Sequence, residues 1–513
     1  MGSEINEFTV QELVNQGVLA KPLDGNHGEI HPKSSDFVED GIPFIMASDL
    51  KDGGVDIESC KKISEAQAKT LRKGFAKEGD ILLSHKATIG RTAVVGAIES
   101  EYLVLTPQVT YYRVLDKQRL NPKYLKYYFD STKFHNLFLQ WAGGGSTRLY
   151  LGITGQLKLP IILPEIGVQN RIVSVIDDYD KKLILNRQTN QTLEQMAQAL
   201  FKSWFVDFDP VIDNALEAGN KIPEPLKKKA ERRAAMRAQQ KAQAAQANQE
   251  VQQGAVQTSL HTPSQTQSHS TKPAHSHANN GAATNTDTDQ VSDLLTQGLP
   301  VHLRALFPSE FEETELSNSA ANAEGWIPKG WSIKPVEEIV ERLKAGKRYN
   351  KKELDSSGKV PVFEQGKDIL LGYHNDTANF LASSEEPIFI FGDHTCVTKL
   401  GIEPFSISAN VIPLKGSLIN TYWTFYAVKD LQSFEEYRRH WMEFAIKQVV
   451  TPTNKIADFF ADITKSLIRK VNNSELESAS LSRLRDTLLP KLISGELRLP
   501  EMDTAPDHSE ASA

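Results

Sequence analysis

The sequence predicts an α+β protein: two mixed α/β domains joined by two long antiparallel coiled-coil helices, with an internal pseudo-two-fold repeat. Two observations carry this. The first is a pair of heptad seams. Ile172, Ile176, Tyr179, Leu183, Asn186, Asn190, Leu193, Ala197, Leu200 and Trp204 alternate in steps of four and three. Ile456, Phe460, Ile463, Leu467, Lys470, Ser474, Glu477, Leu481, Leu484 and Leu488 repeat those steps 284 residues later, 456 against 172 and 488 against 204. Such spacing buries a narrow stripe of one helix against another. Both seams are apolar at their ends and polar in the middle, which weakens a coiled coil but fixes its register. The second observation is that an α/β pattern of the same order precedes each seam.

The totals bound the rest. A chain of 513 residues holds two to four domains. Its 58 Lys and Arg against 65 Asp and Glu give a net charge of −7, which excludes an indiscriminate polyanion binder. The two cysteines, Cys60 and Cys396, cannot form a disulfide framework, and a reducing, cytoplasmic setting fits. The beginning MGSEINEFTVQEL is acidic without an apolar core, so no signal peptide is expected. No apolar run approaches a membrane span.

Taken in order, residues 1–165 read as the first mixed domain. Ile42–Met46, Ile81–Leu83 and Val109–Leu115 are apolar runs bounded by Gly, Asp and Pro, and are expected as strands. Ser64 caps a short helix reaching Arg72. Asn121-Pro122 opens an aromatic helix that runs to Trp141. The first spacer helix occupies 166–210 and ends at WFVDFDP, where Pro210 closes it.

Residues 211–325 form a linker, disordered at about 245–295, where large apolar residues nearly vanish and burial cannot offset ordering entropy. Its basic run, Lys227 to Arg233, reads as a solvated helix face. The second mixed domain spans 326–450, with strands in VPVFEQ, EPIFIFGD and SISANVIPL, then an aromatic helix that sets Tyr422 and Tyr426 in register with Tyr124 and Tyr128. The second spacer helix covers 451–499, and 500–513 is a flexible tail.

Catalysis finds little support. There is no G-x-x-x-x-G-K-[ST] phosphate loop. Asn121-Pro122-Lys123-Tyr124 lacks the second proline of the amino-methyltransferase motif N-P-P-[FY], and a helix N-terminus explains it. Cys396 beside Asp393, His394 and Thr395 has no assignable acid or base partner.

LEQMAQALFKSWFVDFDPV at 193–211, LRALFPSEFEETEL at 303–316, GWIPKGW at 325–331 and LRDTLLPKLISGELRLPE at 484–501 resemble the signatures of type I restriction–modification specificity subunits. The resemblance covers nearly the whole chain in the expected order. It departs in the long polar linker and in QVVTPTNKI at 448–456, which leads into the second helix without the proline-rich LPEIGVQNRI of the first. It implies two target-recognition domains, each reading half of a split DNA sequence, on helices that set the spacing and dock two modification subunits. Restriction subunits join that core. The chain itself is implied to be a non-catalytic DNA-binding component of phage defence, with S-adenosylmethionine, ATP and Mg used by its partners. Thirty-two residues of helix span roughly 48 Å, against about 34–36 Å for one turn of duplex DNA.

Bases are read by Arg or Lys on guanine, Asn or Gln on adenine, and hydroxyls on either. On that chemistry the candidate DNA-binding residues are Ser84, His85, Lys86, Thr88, Arg91, Gly144, Ser146, Thr147 and Arg148 in the first domain. In the second they are Lys367, Tyr373, His374, Asn375, Asp393, His394 and Thr395. Trp141 and Tyr150 are expected in the core. The partner and seam residues are Ile172, Ile176, Leu183, Leu193, Leu200, Ile456, Phe460, Leu467, Leu481 and Leu488. No metal site is expected.

Overall fold

The computed structural model describes residues 6–143, 149–239, 242, 286–296, 298–314, 325–366 and 368–499. The chain divides into two units, Met1–Arg187 with Glu475–Ala513, and Gln188–Ser474. Each unit therefore takes part of both long helices, Ile166–Phe201 and Asn454–Ile493. The first continues through a π-helical turn, Lys202–Val206.

In the first unit the helix segments run antiparallel. Asp180 accepts from Arg485 at 2.9 Å, and further along Asn186 donates to Glu477 at 2.8 Å and to Ser478 at 3.2 Å. In the second unit Phe201 packs on Phe460 and Trp204 stacks on Phe459, again antiparallel. Along the first helix the heptad expectation holds: Ile172, Ile176, Leu183, Asn186, Leu193, Ala197, Leu200 and Trp204 are all buried.

The second helix corrects it. Ile456, Phe460 and Leu467 are buried, but Leu481 and Leu488 are only half-buried and Leu484 is 50% exposed. The covered stripe instead passes through 456, 460, 463, 467, 471, 474, 478, 481, 485, 489 and 492. That is 36 residues in ten steps, the 3.6-residue period of a straight helix rather than a heptad's 3.5. The polar middle explains the drift. Where Asn186 meets Glu477 and Ser478, no apolar knob forces the heptad phase onward.

Each unit holds the same strand plan. In the first, Asn6–Thr9 pairs antiparallel with Pro160–Leu163, the strand that leads into the long helix. In the second, Ser332–Pro335 pairs with Gln448–Thr451 in the same way. A four-stranded antiparallel sheet follows, in the order Thr92–Val94, Ile81–Ser84, Val109–Tyr112, Leu23–Asp24. Its counterpart runs Thr398–Gly401, Ile388–Gly392, Val411–Gly416, Val340–Arg342. The other sheet of each unit carries one equivalent parallel pair, Ile42–Ile45 with Leu103–Leu105 and Val360–Phe363 with Ser406–Ser408. The duplication expected from the sequence thus extends to strand order and direction in these pairs and in the four-stranded sheets, whereas the strand beside Leu103–Leu105 is antiparallel (Phe75–Ala76) and that beside Ser406–Ser408 is parallel (Arg348–Tyr349).

Local caps set the helices. Ser64 accepts from the Gln67 amide, as expected. The aromatic helix is two helices, Pro122–Asp130 and Thr132–Ala142, because Ser131 ends one and caps the other through the Phe134 amide. Asn121 and Asn420 both cap their helices. Counting from these caps puts Tyr127, not Tyr128, opposite Tyr426, which moves the expected register by one residue.

The linker needs correction as well. Thr286–Thr296, placed in the disordered tract by composition, is helical and buries Val291 and Leu294 in the second unit's core. A short stripe of apolar residues at helical spacing outweighs the polar composition around it. Asp209–Ala218 is also a helix, and Arg233 of the basic run pairs with Asp213 at 2.5 Å. The remainder of 245–285 and the tail 500–513 lie outside the described residues. Among the described residues no helix is long and apolar enough to cross a membrane.

Candidate nucleic-acid interface

Two hairpin loops, one per unit, collect most of the described candidates. In the first unit strand Ile81–Ser84 turns through 85–91 into Thr92–Val94. Ser84 closes the turn: its Oγ accepts from the Arg91 amide at 2.8 Å, and its carbonyl accepts from the Gly90 amide at 2.9 Å. Gly90 sits at φ +84°, where an added Cβ would lie 2.6 Å from the His135 ring. The loop is stitched to a second segment. The Leu151 amide donates to the His85 carbonyl at 3.1 Å, and the Ala87 amide to the Leu149 carbonyl at 3.3 Å.

This geometry sorts the candidates. Lys86, Thr88 and Arg91 are exposed, with Arg91 Nη1 donating to the Ala47 carbonyl at 3.2 Å. Ser84 and His85, expected as donors to DNA, are fully buried and hold the turn instead. Ser84 ends, and His85 follows, a strand whose every side chain is covered, which alternation of types in the sequence does not reveal. Conversely Trp141 and Tyr150, expected in the core, are 39% and 47% exposed. The Lys86 ammonium stands 5.9 Å from the Tyr150 ring centroid. Gly144, Ser146, Thr147 and Arg148 lie outside the described residues.

Burial drives the His85 imidazole down to about 4 from its ordinary 6.5, against the opposing pull of Asp24 and the Leu151 carbonyl; His27 and Lys86 push the same way as burial. Its Nε2 is buried without a hydrogen-bond partner, 4.0 Å from Asp24 Oδ2. An unfolded chain binds this proton from about pH 6.5 and the folded one only near 4. Stability is therefore complete above 6.5 and lost as pH falls toward 4, by up to about 3 kcal/mol. Denaturation of the first unit followed between pH 7 and 4 should show this slope in the wild type. It should flatten in His85→Phe; an unchanged slope would assign it to other groups.

In the second unit strand Ile388–Gly392 turns through 393–397 into Thr398–Gly401. The Asp393 carbonyl accepts from the His440 amide at 2.7 Å, and its carboxylate accepts from the Trp441 amide at 3.0 Å. His394 donates its amide to Gln365 at 2.9 Å, and Thr395 its hydroxyl to the Gln365 carbonyl at 2.8 Å. Asp393 is thus buried as a loop anchor, correcting its reading as a polar tip. His394 packs on Tyr437 at 4.7 Å between ring centroids. Burial pushes the Cys396 thiol up, away from a nucleophilic thiolate.

The other candidates of this unit stand on its other sheet. His374 ends strand Leu370–His374, buried and stacked on Tyr349 at 4.1 Å. Its Nδ1 accepts from the Asp376 amide and its Nε2 meets Ser406 Oγ at 2.9 Å. Both ring nitrogens are therefore engaged inside, which corrects its assignment as a DNA donor. Tyr373 is half-buried and Asn375 exposed. Lys367 lies outside the described residues. Among the described residues no cluster of three or more His, Cys, Asp or Glu could hold a metal.

The two loops are equivalent. Each follows the second strand of its four-stranded sheet, and the first residue of each, His85 or Asp393, accepts a backbone bond from the segment after the aromatic helices. Residues 19–195, which include the first loop and much of the first long helix, match the family described as type I restriction modification DNA specificity domain. The chain is 24% identical over 402 residues to the HindI type I restriction enzyme specificity subunit of Haemophilus influenzae, covering 72% of this chain and 75% of that one. It is 21% identical over 495 residues to the MjaIX specificity subunit of Methanocaldococcus jannaschii, covering 90% and 88%.

Residues 19–195 thus carry a type I restriction modification DNA specificity domain. Both relatives are named as specificity subunits of type I restriction enzymes. The crystal structure of the M. genitalium S subunit is similar over 98% of this chain and 97% of that one, at 13% identity and a TM-score of 0.45.

Proposed function

We propose that each unit of this specificity subunit reads one half of a split DNA target through its hairpin loop. The long helices set the gap between the halves and carry two modification subunits, to which restriction subunits add. S-adenosylmethionine, ATP and Mg act on those partners. The observation that carries this reading is the duplicated loop, presented by the same strand pair and held by the same flanking segment in both units. In the first loop Lys86, Thr88 and Arg91 supply exposed donors suited to guanine and phosphate. A net charge of −7 fits a protein that binds DNA best with basic partners.

Methylome sequencing of cells that carry this chain with its modification subunit tests the reading. A split motif with a fixed gap is expected, present only with the chain. Lys86→Ala with Arg91→Ala should relax one half-site by about tenfold or more, the scale of a lost base contact, and leave the other intact. A motif that persists without the chain would assign specificity elsewhere.

A further inference from the structure

We propose that Tyr150 and Tyr437 are equivalent specificity-determining residues, each packing its ring on the DNA half-site that its own unit reads. The inference rests on the DNA-reading assignment above and extends it to residues that hydrogen-bond chemistry does not pick out.

Counting from the shared backbone anchor, Lys86 and His394 occupy the same place in the two loops, one residue after His85 and Asp393. Each lies against a tyrosine from the segment that follows the aromatic helices. Lys86 is 5.9 Å from the Tyr150 ring and His394 is 4.7 Å from the Tyr437 ring. The rings are not core residues, being 47% and 74% exposed. A large aromatic surface left in water at one position is ordinary; the same residue type beside the same loop position in both halves of a duplication is a built feature. Tyrosine suits such a site because it offers a rigid apolar face with few rotamers to freeze. On the DNA side, base and sugar faces accept an aromatic ring, and nearby donors settle the edges. The Lys86 cation and the His394 imidazole each lie against one of these rings at the rim of its loop.

The test uses the complex of this chain with its modification subunit and duplexes carrying the split motif, each with base changes confined to one half. Tyr150→Ala should weaken binding to the intact motif by about tenfold and flatten discrimination in one half only. Tyr437→Ala should do the same in the other half. The unaffected half reports that each variant is folded and assembled. Tyr150→Phe and Tyr437→Phe keep the ring and should stay within about twofold of the wild type. Wild-type affinity and discrimination in both alanine variants would overturn the inference while the DNA-reading assignment stands. So would loss confined to the same half in both, or a phenylalanine variant as weak as alanine. A wild-type complex that distinguishes no half-site would overturn both.

Discussion

Phe460→Ala should lower the unfolding free energy of the second unit by about 3–5 kcal/mol, the usual range for a buried phenylalanine. Phe460 is fully buried, and its ring meets Phe201, Trp204, Phe205 and Tyr426 at centroid separations of 5.4–6.1 Å. Three of those rings come from the end of the first long helix and its π-turn, where side chains too large to close in leave most of the cavity open. Phe460→Leu refills part of that space and should recover about half of the loss. Chemical denaturation followed by tryptophan fluorescence reads both, since Trp204 lies in the affected cluster. A loss below about 1 kcal/mol would mean that the cluster repacks freely.

Lys126→Ala should destabilise the first unit by about 3 kcal/mol. The Lys126 side chain is only 8% exposed and its ammonium lies 2.8 Å from Asp130 and 3.1 Å from Asp180. Burial alone would depress the ammonium pKa, yet the two carboxylates outweigh it and the net shift is upward. Its contribution is therefore present at neutral pH and lost only as pH rises through that raised value. Truncation leaves two carboxylates facing each other, with Arg485 still bound to Asp180. Lys126→Ala combined with Asp130→Ala removes the repulsion and should be milder than the sum of the single losses. Strict additivity would show that the pair is not coupled.

How much of this was legible varied with the physics. The first helix seam could be read because apolar ends with a period near 3.5 leave little choice of face. The second seam drifted once Lys470, Ser474 and Glu477 stopped specifying a phase, and only the partner helix, through Asn186, decides which residues turn inward. The duplication was visible in the order of apolar runs, but the register of the aromatic helices depended on caps, Asn121 and Asn420, rather than on tyrosine spacing. At the candidate site residue types were legible and side-chain directions were not. Ser84, Asp393 and His374 carry the donors and acceptors of a base reader yet engage them within the fold, and His85 is buried as well. Tyr150 looked like core because nothing in its own segment says that the hairpin leaves it uncovered.

The strand pairs at the foot of each domain bear on folding and on exchange. Asn6 lies opposite Leu163, and Ser332 opposite Thr451, so each domain is a closed loop whose two ends leave from one point. Closing a loop of that length has an entropic cost that local contacts must first offset. The foot pair is therefore expected to form late, after the sheets above it. Once formed, it separates what lies between its strands from what lies below. A replacement that begins after Thr9 and ends before Pro160 alters the domain as a cassette and hands the chain back to the long helix at the same place and in the same direction.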